Sequence, residues 1–390
     1  MKFQNKNFQF QIPSLDQAKQ LLRDRLSGKE QFLARLIDKP LVLYGAGNLG
    51  HMACDYLRKI NATPCAIVDA KAPMDDVNSW FDGYPLLNSI NVPEKLKSNS
   101  LLAVCIVSAS FEEIRQNMHA QGWLDIVPFY DIAESYRHIH PLSNGWFAEP
   151  FSERDLVEIE LVLETYADDV SRAHYLQFLA WRRLRQEWHF DGFEIQADNR
   201  FYIPEIKSKL GKHEIFVDIG AHHGSVSERF IEEVQGEFEE IIAIEPDKTN
   251  YLYLNECFKR QPKGIKERLR IFSEFVDERS SSRKFFPGLG YASQFSQVGG
   301  EIVKTTTIDN LHLEPTYMKI HLEGFELAAL KGAIQTISQF RPKISLTVYH
   351  NTDGIYLTMA WLMKNIKNYR FIFRMHGWCG TGAVIYAIPA

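Results

Sequence analysis

The loop Asp218-Ile219-Gly220-Ala221-His222-His223-Gly224-Ser225 places an acid, two histidines and two glycines spaced G-x-x-x-G directly after the apolar run Ile215-Phe216-Val217. Glycine lets backbone approach a ligand where a Cβ would collide, whereas a pyrophosphate calls for the tighter G-x-G-x-x-G turn. The looser spacing suits a ligand without phosphates. Glu245, in Ile244-Glu245-Pro246-Asp247, closes the next apolar run, and an acid at such a strand end accepts both hydroxyls of a ribose. Lys319-Ile320-His321-Leu322-Glu323-Gly324 and Val348-Tyr349-His350 then set a lysine, two histidines and a glutamate at two further strand ends. A neutral imidazole, with a pKa near ~6.5, can remove the proton of a hydroxyl as that hydroxyl attacks. His350 has a second reading, as a hydrogen-bonded structural residue, and Lys319 a second reading as the ion-pair partner of Glu323 or Glu326. His222, His223, His321, Glu323 and His350 together could form a metal cluster, but no H-E-x-x-H spacing links them, so a metal ranks below a metal-free site.

Those residues need a scaffold that gathers strand ends. An amphipathic helical pattern follows the glycine loop at 226–234, another occupies 251–258, and Leu269-Arg270-Ile271-Phe272 reads as a third strand. A helix is expected over 327–337, and a closing antiparallel hairpin from the apolar runs near 369–376 and 383–388. Alternation of strands and helices implies a parallel sheet covered on both faces.

A second unit of the same texture precedes it. Leu41-Val42-Leu43-Tyr44 runs into a full G-x-G-x-x-G with Gly45, Gly47 and Gly50, and Cys65-Ala66-Ile67-Val68-Asp69 ends on an acid. Two readings stay open: a nucleotide or nucleotide-sugar held by Gly45, Gly47, Gly50 and Asp69, or a turn that only lets helix and strand pack closely. No hydride-transfer constellation accompanies the loop, which sets an NAD-dependent oxidoreductase below both. Further strands are expected at 101–107 and 126–130. The fold class is therefore α/β, with division at 1–37 (one helix from Ser14 to a break near Gly28 and beyond), 38–135 (Rossmann-like), 136–200 (helical linker or cap) and 201–390. Within the linker, Arg182-Arg183-Leu184-Arg185 reads as a solvated helix face, and the tryptophans and tyrosines as core.

The chain has 390 residues, 45% hydrophobic and 24% charged, with a net charge of −5, which argues against a nucleic-acid partner held by its phosphates. No run reaches the ~18 apolar residues of a membrane span and the N-terminus carries no signal-peptide core, so the expectation is a cytoplasmic protein without a membrane partner. Five cysteines, odd in number and never C-x-x-C, indicate neither disulfides nor a zinc knuckle.

The glycine loop and Glu245 together resemble the S-adenosylmethionine site of a class I methyltransferase. The series VDIGAHHG, IAIEPD, TTTIDNL, MKIHLEGFELAALKGA and RPKISLTVYH is similar to the FkbM family of S-adenosylmethionine-dependent methyltransferases over about 215–390. That resemblance implies a seven-stranded Rossmann-like sheet and O-methylation of a sugar or related hydroxyl acceptor. It assigns Asp218, Gly220, His222, Gly224, Glu245 and Asp277 to the cofactor, Asp277 or Glu274 lying beside the adenine. His321 becomes the leading base, with Glu323, His350 and Lys319 around the acceptor. His321 stands where the family pattern K-I-D-x-E-G has aspartate, which leaves a rival reading, a non-catalytic cofactor-binding scaffold of a glycan pathway. Residues 38–135 resemble the nucleotide- or sugar-nucleotide-binding N-terminal domains attached to bacterial sugar-modifying enzymes, including the segment Phe81-Asp82-Gly83-Tyr84-Pro85-Leu86.

Overall fold

The computed structural model describes residues 6–74, 79–192, 194–288 and 292–390. Seven strands of the C-terminal half form one sheet in the order Leu269–Phe272, Glu240–Ile244, Ile215–Ile219, Tyr317–Ile320, Lys343–Thr347, Ala383–Pro389, Tyr369–Met375. The first five are parallel, and Ala383–Pro389 lies antiparallel to both of its neighbours. Side chains alternate between two cores: Val217 and Ile219 join one, Phe216 and Tyr317 the other. Because both faces are covered, the inner strands are apolar nearly throughout. The chain order reverses on either side of Ile215–Ile219, which is where an open α/β sheet leaves a crevice beyond its carboxyl ends.

The helix expected over 327–337 is two helices, Glu326–Lys331 and Ile334–Phe340. A Cβ on Gly332 would stand 2.2 Å from the Asp277 carbonyl oxygen. The glycine therefore serves a close crossing at the break.

Six strands of the N-terminal half form a second sheet in the order Trp80–Phe81, Tyr84–Asn88, Ala66–Asp69, Leu41–Tyr44, Leu101–Val104, Ile126–Pro128. All pairings are parallel except the hairpin at its edge, whose two-residue turn uses Asp82 (φ +51°) and Gly83 (φ +86°). The strand expected at 126–130 stops at Pro128, and Phe129 begins a helix, Phe129–Ser135. The helix expected over 14–37 is shorter as well. Ser14 and Gln17 form a capping box on Leu15–Leu21, a π-turn continues through Leu22–Leu26, and regular structure then ends. Leu22 and Leu26 are buried, but Leu33 and Leu36 are 83% and 58% exposed while Phe32 and Ile37 pack against two different cores, so the later part of the stripe has no single face to bury as a helix.

Helices Glu153–Thr165 and Asp169–Leu184 pack beside the seven-stranded sheet, where Tyr175 and Phe178 meet Phe373. The strand Glu187–Phe190 then pairs with Asn7–Phe10. The arginine run is not a solvated face: Arg182 and Arg183 are fully buried and Arg185 is 8% exposed. Arg182 donates to the carbonyls of Asn144, Trp146, Tyr349 and Gly380. Arg185 pairs with Asp131 and donates to the Gly145 carbonyl. These cations neutralise main-chain acceptors at the joint of the two halves, a use that a helical charge pattern does not reveal. Among the described residues no helix is long and apolar enough to cross a membrane.

Candidate active site

The carboxyl ends of the two sheets face one cavity of about 660 Å³, within the ~300–1,000 Å³ of pockets that take small organic ligands. Gly220, His222, Glu245, His321 and Glu323 form one wall; Asn48, Leu49, Val107 and Ser108 form the wall opposite.

On the wall formed by the C-terminal sheet, Gly220 has φ +74°, and a Cβ there would lie 1.9 Å from the His321 carbonyl oxygen. Only glycine lets the loop lie flat across the neighbouring strand end. His222 (φ +52°) directs its backbone N–H at Glu245 Oε2, 2.7 Å away, and Glu245 Oε1 accepts from Asp247 N at 3.0 Å. The carboxylate is thus held in place with further lone pairs on each oxygen. Burial raises its pKa, and burial lowers the His222 imidazole to about 4.

Three residues that the resemblance assigns to the cofactor, Asp277, Asp218 and Gly224, do not line the cavity. Asp277 is fully buried, pairs with Arg283 Nε at 2.7 Å and does not line the cavity; Glu274 does. Asp218 is also fully buried, accepting from Lys319 Nζ and Ser227 Oγ at 2.8 Å each. It acts beneath the loop, because Lys319 Nζ also donates to the Gly220 carbonyl at 2.6 Å. Lys319, with both its partners there, fixes the Gly220 loop from below; it pairs with neither Glu323 nor Glu326. Gly224 (φ +91°) starts the helix Ser225–Glu233, and its missing Cβ makes room for Leu254 and Cys257.

The opposite end of the wall is a triangle. His321 Nε2, His350 Nε2 and Glu323 Oε1 are separated by 3.3, 3.4 and 3.4 Å. The turn after Tyr317–Ile320 aims both His321 and Glu323 inward, and Glu323 itself has φ +48°. His350, 1% exposed, stands behind them with Nδ1 2.5 Å from Glu326 Oε1. Burial lowers the His321 imidazole to about 3. Burial would lower His350 too, but the flanking Glu323 and Glu326 raise it well above its ordinary value. Burial would raise Glu323, yet the two imidazoles hold it well below the usual carboxylate range. His222 and His223 stack on each other elsewhere, so only three of the five metal-capable residues named from sequence converge.

The first glycine loop is built differently. A Cβ on Gly45 (φ +111°) would meet Ile106 at 2.9 Å, and one on Gly50 would meet the Gly45 carbonyl oxygen at 2.3 Å; Gly47 has open space. Asp69 folds back on its own loop, accepting from Ala46 N at 2.8 Å and Lys71 N at 2.7 Å, and it does not line the cavity. Phe81 stacks on His51 beside Gly50. Sequence reasoning missed Ser143, which donates to Glu323 Oε2 at 2.8 Å, and Arg200, which donates to the Tyr349 hydroxyl at 3.0 Å beside the cavity. Neither sits in a motif.

Residues 218–373 match the family model described as methyltransferase FkbM domain. Among solved structures, methyltransferase FkbM from Methylobacillus flagellatus KT is similar over 96% of this chain and 98% of its own, at 17% identity and TM-score 0.61, a likeness of fold that runs through both sheets. Precorrin-6y C5,15-methyltransferase from Geobacter metallireducens GS-15 is similar over 50% of this chain and 93% of its own, at 15% identity and TM-score 0.31. The SAH-bound methyltransferase PaMTH1 of Podospora anserina is similar over 62% of this chain and 89% of its own, at 12% identity and TM-score 0.30. No curated protein matches the chain.

Proposed function

For this S-adenosylmethionine-dependent methyltransferase, whose residues 218–373 form an FkbM-type domain, we propose that the acceptor is a hydroxyl oxygen of a sugar or related small molecule. The observation that carries the reading is the shared wall. Glu245, suited to a ribose, and the His321–Glu323–His350 triangle, suited to an ionising hydroxyl, open on the same cavity. Methyl transfer requires the acceptor lone pair in line with the sulfur–methyl bond at near-attack distance, so positioning supplies much of the acceleration. Gly220 and His222 lay the cofactor across the strand ends, Glu245 holds its ribose, and Lys319 with Asp218 fixes the loop from below.

A hydroxyl is a poor nucleophile until its proton leaves. His321 is neutral and faces the cavity, but an imidazole lowered to about 3 is a weak base alone. The activation is therefore assigned to His321, Glu323 and His350 jointly. Asn48 and Leu49, at the start of the helix Asn48–Lys59, would meet the distal part of the acceptor. A nucleotide-linked sugar is the first form to test there, because backbone N–H groups at a helix start favour anions.

His321→Ala tests the assignment. We expect turnover to fall ~10²–10⁴-fold, while calorimetry with S-adenosylmethionine shows an unchanged affinity. Undiminished turnover removes His321 from the mechanism. A screen of free and nucleotide-linked sugars, read by release of S-adenosylhomocysteine and mass of the product, tests the acceptor class; methylation only at nitrogen or carbon overturns it.

A further inference from the structure

The triangle holds more than a base requires. Three atoms able to ligate an ion once His350 gives up a proton, His321 Nε2, His350 Nε2 and Glu323 Oε1, form a nearly equilateral set with edges of 3.3, 3.4 and 3.4 Å. A zinc-like ion binds imidazole nitrogen and carboxylate oxygen at ~2.0–2.2 Å, and tetrahedral angles then set the ligand atoms ~3.4 Å apart. Among the described residues this is the one group of three His, Cys, Asp or Glu side chains close enough to hold an ion.

The surroundings are those of a ligand set. His350 Nδ1 meets Glu326 Oε1 at 2.5 Å, and Glu326 is itself fixed by Thr347 Oγ1 at 2.9 Å and the N–H groups of Leu322 and Gly324 at 3.1 and 3.0 Å. A carboxylate on the far nitrogen is the arrangement that orients a metal-binding imidazole and leaves the near nitrogen its lone pair. Ser143 Oγ occupies the second oxygen of Glu323 at 2.8 Å, so Oε1 is aimed into the triangle. Left-handed backbone at Glu323 (φ +48°) followed by Gly324 (φ +106°) is strain kept where it aims that side chain.

We infer that His321, Glu323 and His350 are the ligands of one divalent transition-metal ion of the zinc class, with an open fourth position toward the cavity for the acceptor hydroxyl; this last role rests on the hydroxyl-methylation reading. The coordinated R–OH loses its proton to water in the cavity. The alkoxide oxygen then forms a bond to the methyl carbon as the carbon–sulfur bond breaks, and that bond's electron pair stays on sulfur as S-adenosylhomocysteine. The ion supplies Lewis acidity and undergoes no redox change. No metal-binding motif spacing marks the site, because two strand ends supply the ligands.

The test uses the full-length chain, stripped of metal and titrated with Zn²⁺ by calorimetry and with Co²⁺ by visible absorption, with S-adenosylmethionine affinity measured in parallel. We expect one ion per chain and intense cobalt bands of low coordination number. Loss of binding is expected in His321→Asn and His350→Gln, and a ~10–100-fold weakening in Glu326→Gln, with S-adenosylmethionine affinity retained in His321→Asn. His321 is the safer variant for folding, its side chain being 23% exposed. The site is refuted if folded wild-type protein takes up no stoichiometric ion, or if His321→Asn binds as wild type does. Ion binding with no hydroxyl methylated would refute the hydroxyl reading and leave the site. Hydroxyl methylation that persists after exhaustive chelation would refute the metal and leave the hydroxyl reading.

Discussion

The two strand–loop–helix units of this chain share a backbone plan and differ in what lies beneath and beside it. Each central strand, Leu41–Tyr44 or Ile215–Ile219, sits between two parallel neighbours and ends in a glycine of positive φ, +111° at Gly45 and +74° at Gly220. Two residues before that glycine the N-terminal unit has Leu43 opposite Ala103, and the C-terminal unit has Asp218 opposite Lys319. Leu43 and Ala103 only fill space, whereas the ion pair reaches up to hold the Gly220 carbonyl. The acid on the next strand differs likewise: Glu245 opens on the cavity and Asp69 closes on its own loop. A glycine signature therefore reports how a chain turns, and the neighbouring strand ends decide whether the turn holds a ligand.

The largest effect should come from converting one unit toward the other. Lys319→Met strands Asp218 as a buried unpaired charge and should cost ~3–5 kcal/mol in urea unfolding. The double variant Asp218→Leu with Lys319→Ala copies the N-terminal pair and should recover most of that stability while weakening S-adenosylmethionine binding. A double variant as unstable as the single one would break the comparison.

The joint between the halves should show a pH dependence of similar scale. Burial raises the Glu187 carboxyl to about 7, against donors Ser110 Oγ, Phe111 N and Glu112 N. A raised acid contributes stability fully below its unfolded value of 4.5, and that contribution is lost as pH rises toward 7. Stability should fall by ~3 kcal/mol across that window, and Glu187→Gln should flatten it; thermal melts at pH 5 and pH 8 decide this.

Smaller, and aimed at the two acids, is a pair of binding measurements. Glu245→Gln should weaken S-adenosylmethionine ~10–100-fold, the worth of charged hydrogen bonds to a ribose, and Asp69→Asn should leave it within ~2-fold. Equal effects would mean that the units had been told apart wrongly. The smallest effect is expected at Gly47→Ala, within ~0.5 kcal/mol of wild-type stability, because a Cβ there has open space. Turnover lost in that variant would reveal a substrate group pressed against the N-terminal loop.

Much of this architecture is legible from residues alone, because buried parallel strands read as apolar runs and their ends carry glycine or acid. The runs before Asp218, Glu245 and His321 all form the expected adjacent strands. What escapes is direction and distance. Asp277 and Glu274 are both acids near one strand end, yet the side chain of one turns under the sheet toward Arg283 and the other lines the cavity. Ser143 reaches Glu323 from 180 residues away, a separation at which no local pattern exists. The arginine run reads as solvated but is buried, because charge pattern carries no information about carbonyls supplied by other segments.

Arg182 has a consequence for how the cleft works. Its guanidinium, lowered to about 9 by burial, keeps its proton at neutral pH and clasps carbonyls of the 144–146 loop, Tyr349 and Gly380 at once. Parting the 144–146 loop from Tyr349 would require breaking several charge-assisted bonds together. Asn144 and Tyr349 both line the cavity, so one buried cation moors two separate stretches of its rim to each other.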